Sequence, residues 1–176
     1  GIYAPAASGP ESAESKLLAA AEKVFGDRGY AGAHISDITR AAGYATGTFY
    51  LCFSSKKTAL ARLTAMLRDG LVFNATAYSK GAANRLETEI RTFIGLFRFL
   101  AVHPDGYRIM REAEFVDFSL AGNYYLRLMK DYARGLAKEA RPGELNARNW
   151  EYFALAMMGV GHMLALKYLL WNGGKI

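Results

Sequence analysis

The chain has 176 residues, which is enough for one large domain or two small ones. Hydrophobic residues make up 52% and charged residues 22%, a composition that excludes a disordered or collagen-like chain. The single cysteine, Cys52, excludes an intramolecular disulfide framework and a four-cysteine zinc site. The formal net charge of +6 suits nucleic-acid binding, but charge alone favours only a mildly basic soluble protein.

Apolar residues recur at three- and four-residue steps along most of the chain, which predicts helices rather than strands. Residues 1–10 contain small residues, Gly and Pro, and we interpret them as a flexible tail. Helices are predicted over residues 12–28, 35–42, 45–53, 56–79, 84–102, 105–115, 120–140 and 147–171. The predicted breaks between them include Gly29, Gly43, Gly81, Pro104 and Pro142. The predicted fold class is therefore all-α.

The aromatic and threonine content of residues 45–53 would by itself favour a strand. The tight break at Gly43, between two short segments with apolar faces, favours a helix-turn-helix instead. In that arrangement Phe49 and Phe53, four residues apart, pack inward. The residues that then face outward are Thr46, Thr48, Tyr50 and Leu51.

An ordered series of residues runs from Leu17 to Leu60. It comprises Ala20-Ala21, Val24-Phe25, Arg28-Gly29-Tyr30, Ile35, Ile38, Ala41-Ala42-Gly43, Gly47-Thr48, Tyr50, Phe53, Ser55-Lys56 and Ala59-Leu60. This series resembles the DNA-binding domain of TetR-family transcriptional regulators. The resemblance implies a three-helix helix-turn-helix DNA-binding domain over residues 11–55 and a helical ligand-binding and dimerisation bundle over residues 56–176. The family's DNA-contact positions correspond here to Ser36, Thr46, Gly47, Thr48, Tyr50, Leu51 and Lys56.

These residue types suit contact with DNA to different degrees. Tyr50 offers a hydroxyl to phosphate, and Lys56 combines an ammonium charge with a helix N-terminus, two features that attract anions. Gly47 permits a close approach of the backbone. Leu51 cannot hydrogen-bond a base and can only touch a thymine methyl group. We therefore expect few direct base contacts and more dependence on phosphate contacts and DNA shape.

Four positions depart from the family's pattern, and one of them is Ala45, where the family often has Ser. His34 stands where the family usually has a Ser or Thr cap, and Leu51 and Cys52 replace its usual aromatic or His pair. Cys52 is expected as a small buried residue behind the recognition helix, with a redox switch as the alternative.

The C-terminal part is rich in aromatic and methionine residues, which suit either an ordinary helical core or a cavity for a small apolar or amphipathic effector. The candidate cavity residues are Phe73, Phe97, Met110, Arg111, Glu114, Phe115, Tyr125 and His162. The segment from Arg111 to Glu114 also suits a solvated helix face, and His162 suits a hydrogen-bonded structural position. The three histidines show no metal-ligand spacing, and neither a metal nor another cofactor is expected.

Residues 153–171 form a 19-residue apolar stretch that is long enough to cross a membrane. His162 and Lys167 within it make spanning unfavourable. We expect this helix to lie between the ligand core and a dimer partner, where Gly159 and Gly161 permit close approach. TetR-like chains commonly place one further helix after this one, so the dimer interface carried by residues 147–171 is expected to be incomplete.

The sequence therefore predicts a ligand-responsive transcriptional regulator of the cytoplasm, a repressor that binds a palindromic operator in double-stranded DNA as a homodimer. The main alternative is a helical ligand-binding protein whose helix-turn-helix no longer reads DNA. A membrane-anchored helical protein is a further alternative. An enzyme is not expected, because the sequence shows no nucleophile–base pair, metal cluster or phosphate loop.

Overall fold

The computed structural model describes residues 12–138 and 149–172, and every regular element within those ranges is helical. The helices are α1 (Ala13–Gly32), α2 (Ile35–Ala42), α3 (Thr46–Cys52), α4 (Lys56–Ser79), α5 (Arg85–Val102), α6 (Gly106–Val116), α7 (Phe118–Lys138) and α8 (Trp150–Ala165), with a π-helical continuation of α8 over Leu166–Trp171. The predicted all-α fold class is confirmed. The tail predicted over residues 1–10 and the break predicted at Pro142 lie outside the described residues.

Glycines mark the first two predicted breaks, although α1 continues past Gly29 to Gly32. Gly29 has φ 70° and ψ 163°, which kinks α1 shortly before its end at Gly32. Gly43 has φ 74° and ends α2 in the left-handed region. Only glycine adopts these angles without strain, because a Cβ atom would clash with the backbone. The chain can therefore turn sharply between α2 and α3.

Helices α1, α2 and α3 (here called the head) pack around large apolar side chains. Phe25 of α1, Ile38 of α2 and Phe49 of α3 are fully buried. The rings of Phe49 and Phe53 stack in a tilted arrangement with centroids 5.2 Å apart. The inward packing of Phe49 and Phe53 agrees with the sequence prediction, and it fixes which side of α3 faces outward.

The buried core continues from the head into the remaining helices, α4 to α8 (the body). Leu60, Leu63 and Leu67 of α4 belong to the same buried cluster as Phe25 of the head and Ile109 of α6. The predicted domain boundary after residue 55 falls where Ser55 caps α4, its hydroxyl accepting a hydrogen bond from the Thr58 N–H at 3.1 Å. Because the core crosses that boundary, α4 is part of both halves of the molecule.

Helices α4 and α5 form an antiparallel pair. Gly70 of α4 faces Phe99 of α5, and Asn74 of α4 faces Gly95 of α5, so the two helices run in opposite directions. A second apolar cluster joins α7 to α8 through Met129, Ala133, Leu136 and Ala154. The body is thus a layer of helices whose inner faces enclose a space between α4, α5, α7 and α8.

Helix α8 with its π-helical end is apolar but poorly covered. The segment Trp150–Trp171 has a mean hydropathy of 1.5, and only 11% of its most apolar 18-residue stretch is buried within the chain. By length and composition it could cross a membrane. Ala154 and Ala165 pack inward, whereas several larger side chains are exposed: Tyr152, Leu155, Val160, Met163 and Trp171. An exposed apolar surface of this kind is typical of an interaction surface.

The close approach of α4 and α5 generates a test with a matched control. A Cβ atom on residue 95 would lie 2.5 Å from the Asn74 carbonyl oxygen, a backbone atom that cannot move aside. Gly95→Ala should therefore lower the free energy of unfolding by about 1–3 kcal/mol, measured by urea denaturation.

The control is Gly122→Ala in α7, where no atom lies within 4 Å of the added Cβ. Since glycine is a poor helix former, that variant should raise stability by up to about 1 kcal/mol. Equal shifts in the two variants would contradict the close packing of α4 against α5.

Candidate functional site

The outward face of α3 presents an open surface. Tyr50 is 55% exposed and Leu51 is 88% exposed, while the preceding residue, Phe49, is buried and holds the helix against the core. Thr46 and Gly47 are also exposed, and no atom lies within 4 Å of a Cβ placed on Gly47. This face has the exposure that a recognition helix needs.

The remaining predicted contacts surround this face. Thr48 is half-buried on α3, and Ser36 is exposed on α2, which packs against α3. Cys52, expected as a small buried residue, is instead half-buried at the end of α3, where it packs against the core.

Lys56 is anchored at the beginning of α4. Its Nζ donates hydrogen bonds to the carbonyl oxygens of Tyr30 at 2.6 Å and Ala33 at 2.8 Å, and lies 4.4 Å from the centroid of the Tyr30 ring. The ammonium group has three donors, so these bonds use two of them. Neutral carbonyls do not cancel the positive charge, which stays at the N-terminus of α4. The sequence predicted the charge but not its anchoring.

Two arginines near this surface were missed by the sequence analysis. Arg28 lies 2.8 Å and Arg40 lies 3.4 Å from the Asp37 carboxylate, and both guanidinium groups are more than half exposed. Asp37 also accepts the N–H of His34 at 3.2 Å, which closes the start of α2 in place of a Ser or Thr cap. Desolvation raises the pKa of Asp37, but this hydrogen bond and the nearby positive charges outweigh it and lower the pKa overall. One sequence feature did indicate this capping arrangement, because an Asp stands three residues after His34.

Polar contacts fix the head to residues 103–112 of the body. These contacts pair Glu22 with His103 (2.8 Å), the Gly26 carbonyl with Arg108 and the Tyr30 N–H with Glu112 (2.8 Å). Within the body, Lys57 at the start of α4 pairs with Asp117 (2.5 Å). Hydrogen bonds from Lys57 and Ser119 hold the pKa of Asp117 far below its ordinary value of 3.8. Asp117 is therefore ionised, and paired with Lys57, throughout the physiological pH range.

A cavity of about 400 Å³ lies between α4, α5, α7 and α8, and α6 closes one end of it. Its lining is mainly apolar. Of the candidate residues from the sequence, those that line it are Phe97, Met110, Tyr125 and His162.

Polar groups at the α6 end of the cavity are paired with one another. The Tyr107 hydroxyl lies 2.9 Å from Nδ1 of His162, and burial raises the pKa of Tyr107 to about 12. Burial also lowers the pKa of His162, which keeps its ring neutral at physiological pH. His162 is thus both hydrogen-bonded, as one sequence interpretation had it, and part of the cavity wall.

Arg111 and Glu114 lie beside the cavity rather than in its wall. Glu114 accepts a hydrogen bond from the Tyr125 hydroxyl at 2.7 Å and forms an ion pair with Arg111 at 2.6 Å. Both side chains are half-buried, which corrects the expectation of a solvated face. They support the wall through Tyr125 instead of lining it.

Phe73 and Phe115 do not line the cavity, which corrects their assignment. Phe73 is 45% exposed and Phe115 is 85% exposed. Helical phase explains both positions: Phe73 lies about 100° around α4 from the lining residue Val72, and Phe115 lies on the side of α6 away from Met110. The aromatic content of the sequence alone could not show which side chains face the cavity.

A buried ionic cluster at the other end of the cavity was also missed. Glu89 is buried, lies 3.5 Å from Arg85 and accepts a hydrogen bond from the Tyr132 hydroxyl. Arg85 also donates to the Leu136 carbonyl at 3.2 Å. The only sequence signal was an Arg and a Glu four residues apart, which is typical of an ordinary exposed helix pair.

A family model described as "Bacterial regulatory proteins, tetR family" matches residues 17–63. These residues include most of α1, all of α2 and α3, and the first turns of α4. Residues 17–63 are therefore similar to the tetR family of bacterial regulatory proteins. A 41-residue segment, 23% of the chain, is 56% identical to the uncharacterized HTH-type transcriptional regulator YvdT of Bacillus subtilis. That segment spans 21% of the length of YvdT.

Solved structures of TetR-type proteins share the fold over nearly the whole chain. The fatty acid degradation regulator FadR from Bacillus halodurans is 22% identical, with a TM-score of 0.77 over 97% of this chain and 90% of that one. A TetR-family regulator from Syntrophomonas wolfei is 17% identical, with a TM-score of 0.77 over 93% of this chain and 86% of that one. At these identities the similarity shows the arrangement of helices and no shared ligand.

The Lys57–Asp117 pair, which joins the start of α4 to the residue between α6 and α7, predicts a dependence of stability on pH. The folded pKa of Asp117 is below its unfolded value, so the pair stabilises the fold above about pH 4 and loses this effect as pH falls further. Asp117→Asn should therefore lower the unfolding temperature at pH 7. The unfolding temperatures of the variant and the parent should converge as pH drops below about 4.

Thermal denaturation followed by circular dichroism at several pH values measures this convergence. The asparagine side chain retains an oxygen that can accept the Ser119 N–H, so the comparison isolates the charge. A constant difference between the two proteins down to the lowest pH would contradict the assignment.

Proposed function

We propose that this chain is a ligand-responsive transcriptional repressor of the TetR family that binds a palindromic operator in double-stranded DNA as a homodimer. The observation that carries the proposal is the exposed face of α3, with Tyr50 and Leu51 outward and Phe49 locked in the core. A recognition helix needs this arrangement, because its outer side chains enter the major groove while its inner face packs.

The proposed DNA contacts divide by chemistry. Ser36, Thr46, Thr48 and Tyr50 offer hydroxyl groups to phosphate or bases, and Gly47 admits the backbone. Leu51 contributes an apolar contact suited to a thymine methyl group. Lys56 adds a positive charge at the N-terminus of α4, held in place by its bonds to two carbonyl oxygens. The balance of these groups favours phosphate contacts and DNA shape over direct base reading.

The proposed dimer uses the exposed apolar side of α8. A helix with a mean hydropathy of 1.5 that its own chain leaves mostly uncovered is well suited to pairing with a second copy. A twofold axis beside α8 would present two heads to successive major grooves, whose centres are about 34–36 Å apart. The proposed arrangement suits a palindromic operator, and the proposed DNA-binding role implies a location in the cytoplasm with the DNA.

The proposed effector is a small apolar or amphipathic molecule that binds in the cavity. Support comes from the volume of about 400 Å³, which lies in the range of small-molecule sites, and from its mainly apolar wall. The related protein from B. halodurans is described as a fatty acid degradation regulator, which accords with an effector of this type. Release from DNA requires that the effector bind one arrangement of the heads more tightly than the other.

The function is tested by titrating the protein with DNA from its own promoter region and with unrelated DNA, across a range of salt concentrations. Lys56→Gln should weaken binding about tenfold on all sequences. It should also reduce the salt slope by about 0.9 for each protomer, because one phosphate contact is lost. Fluorescence anisotropy measures both quantities.

Lys23→Gln is the control, since Lys23 is exposed on α1 and the substitution changes the net charge equally. Its salt slope should change less than that of Lys56→Gln. Equal affinity for promoter and unrelated DNA, together with an unchanged slope in Lys56→Gln, would favour the alternative of a helical ligand-binding protein that does not read DNA.

The dimer is tested by placing a charge on the exposed side of α8. Met163 is half exposed on that side, and Met163→Glu should convert the dimer into a monomer at micromolar concentration, because a dimer would bury the carboxylate. Sedimentation velocity measures the change. Leu86→Glu on α5, where the leucine is also exposed, should leave the dimer intact. A parent protein that is monomeric at the same concentration would contradict the proposal.

A further inference from the structure

The cavity is elongated. Its lining residues on α5 run from Arg85 to Leu100, and those on α7 run from Tyr124 to Lys138. At 1.5 Å per residue each range extends over about 20 Å. An elongated, mainly apolar space of this length suits an extended hydrocarbon chain.

The two ends of the cavity differ in polarity and access. At the α6 end the lining residues Leu100, Met110 and Ala165 are buried in the main core, and the Tyr107 hydroxyl is paired with His162. At the opposite end several lining residues are exposed or half-exposed and polar or small: Thr76, Ser79, Thr88, Gly135 and Lys138. The cavity therefore has an apolar inner end and a polar mouth.

Charged groups near the mouth already have partners within the protein. Glu89 is paired with Arg85 and Tyr132, and Asp131 lies 3.4 Å from Arg68. The mouth therefore presents hydroxyl groups and the exposed Lys138 to a ligand. Its buried charged groups are not available to bind a charged ligand group. A polar group of variable structure, partly in water, suits such a mouth better than a small rigid anion.

We propose that the effector is a single-chain acyl compound, with its chain directed toward Met110 and its polar head at the mouth beside Thr88 and Lys138. This proposal rests on the proposed effector function of the cavity. In this proposal the protein recognises the acyl chain, which a free fatty acid and an acyl thioester both contain. The head lies at the mouth in both, so the two sources differ mainly in contacts outside the cavity.

The inner end of the cavity supplies a reason for dependence on chain length. Helix α6 carries Tyr107 and Met110 on its cavity side, and Arg108 and Glu112 on the side that contacts the head. These pairs lie on different faces of one helix. Only an acyl chain that is long enough to reach Met110 can displace α6. Short acyl chains should therefore neither bind tightly nor release the protein from DNA.

The test measures binding of saturated fatty acids from octanoate to octadecanoate, and of hexadecanoyl-CoA, to the full chain without DNA. Displacement of a fluorescent fatty acid below the critical micelle concentration gives the affinities. Affinity should rise about fourfold with each added methylene until the chain fills the cavity, and then stop rising. Affinity that is independent of chain length, or tighter binding of a steroid carboxylate, would overturn the proposal.

The comparison of hexadecanoate with hexadecanoyl-CoA distinguishes the two sources. Tighter binding of the thioester indicates that groups outside the mouth contribute, whereas tighter binding of the free acid indicates recognition of the carboxylate at the mouth. Either result supports the acyl proposal, and failure of both compounds to bind overturns it.

A matched pair of variants tests where the acyl chain binds. Gly135 lines the cavity near its mouth and Gly122 does not, yet both lie in α7 and neither has an atom within 4 Å of an added Cβ. Gly135→Leu should weaken hexadecanoate binding at least tenfold and move the optimum to shorter chains, while Gly122→Leu should leave the series unchanged. Equal effects in the two variants would overturn the location.

DNA binding is measured separately, so failure of the acyl proposal and failure of the proposed function can be distinguished. Specific DNA binding without any acyl binding overturns the effector class and leaves a DNA-binding regulator. Length-dependent acyl binding that leaves DNA affinity unchanged supports the effector class and refutes the proposed ligand response.

Discussion

The docking of α1 on α6 is the interaction on which the rest of the structure depends. Phe25 of α1 and Ile109 of α6 are both buried in one continuous core, and Gly26 lies so close to Asp105 that a Cβ atom at this position would overlap the carboxyl group. The head has only about forty residues, too few to bury a stable core of its own. It gains stability from the body, and its orientation is therefore fixed by the position of α6.

Helix α4 has two structural roles in this arrangement, and they are partly independent of each other. Its first turns complete the head and hold Lys56, whereas its last turns form part of the cavity wall from Leu71 to Ser79. A helix of 24 residues extends over about 36 Å, so a small rotation at one end becomes a larger displacement at the other. Together with α6, it connects the cavity to the head, which is the physical link that the proposed ligand response requires.

The sequence predicted most of what depends on local spacing. Apolar periodicity located the helices, Gly29 and Gly43 marked breaks in the helical pattern, and the four-residue step from Phe49 to Phe53 identified the inner face of α3. Long-range contacts could not be predicted in this way. The hydrogen bond from the Tyr30 N–H to Glu112 joins residues 82 positions apart, and no local pattern marks Glu112 as its acceptor. Phe115 was misassigned for the same reason, because its aromatic ring gives no indication of the face that α6 buries.

The central claim is that the cavity and the DNA-binding head are coupled, and reciprocal binding tests it most directly. The affinity of the full chain for hexadecanoate is measured with and without saturating operator DNA, and its affinity for DNA is measured with and without hexadecanoate. Linkage requires that the two ratios be equal, and we expect both to be at least about fivefold. Equal affinity of hexadecanoate for the free and the DNA-bound protein would contradict the coupling.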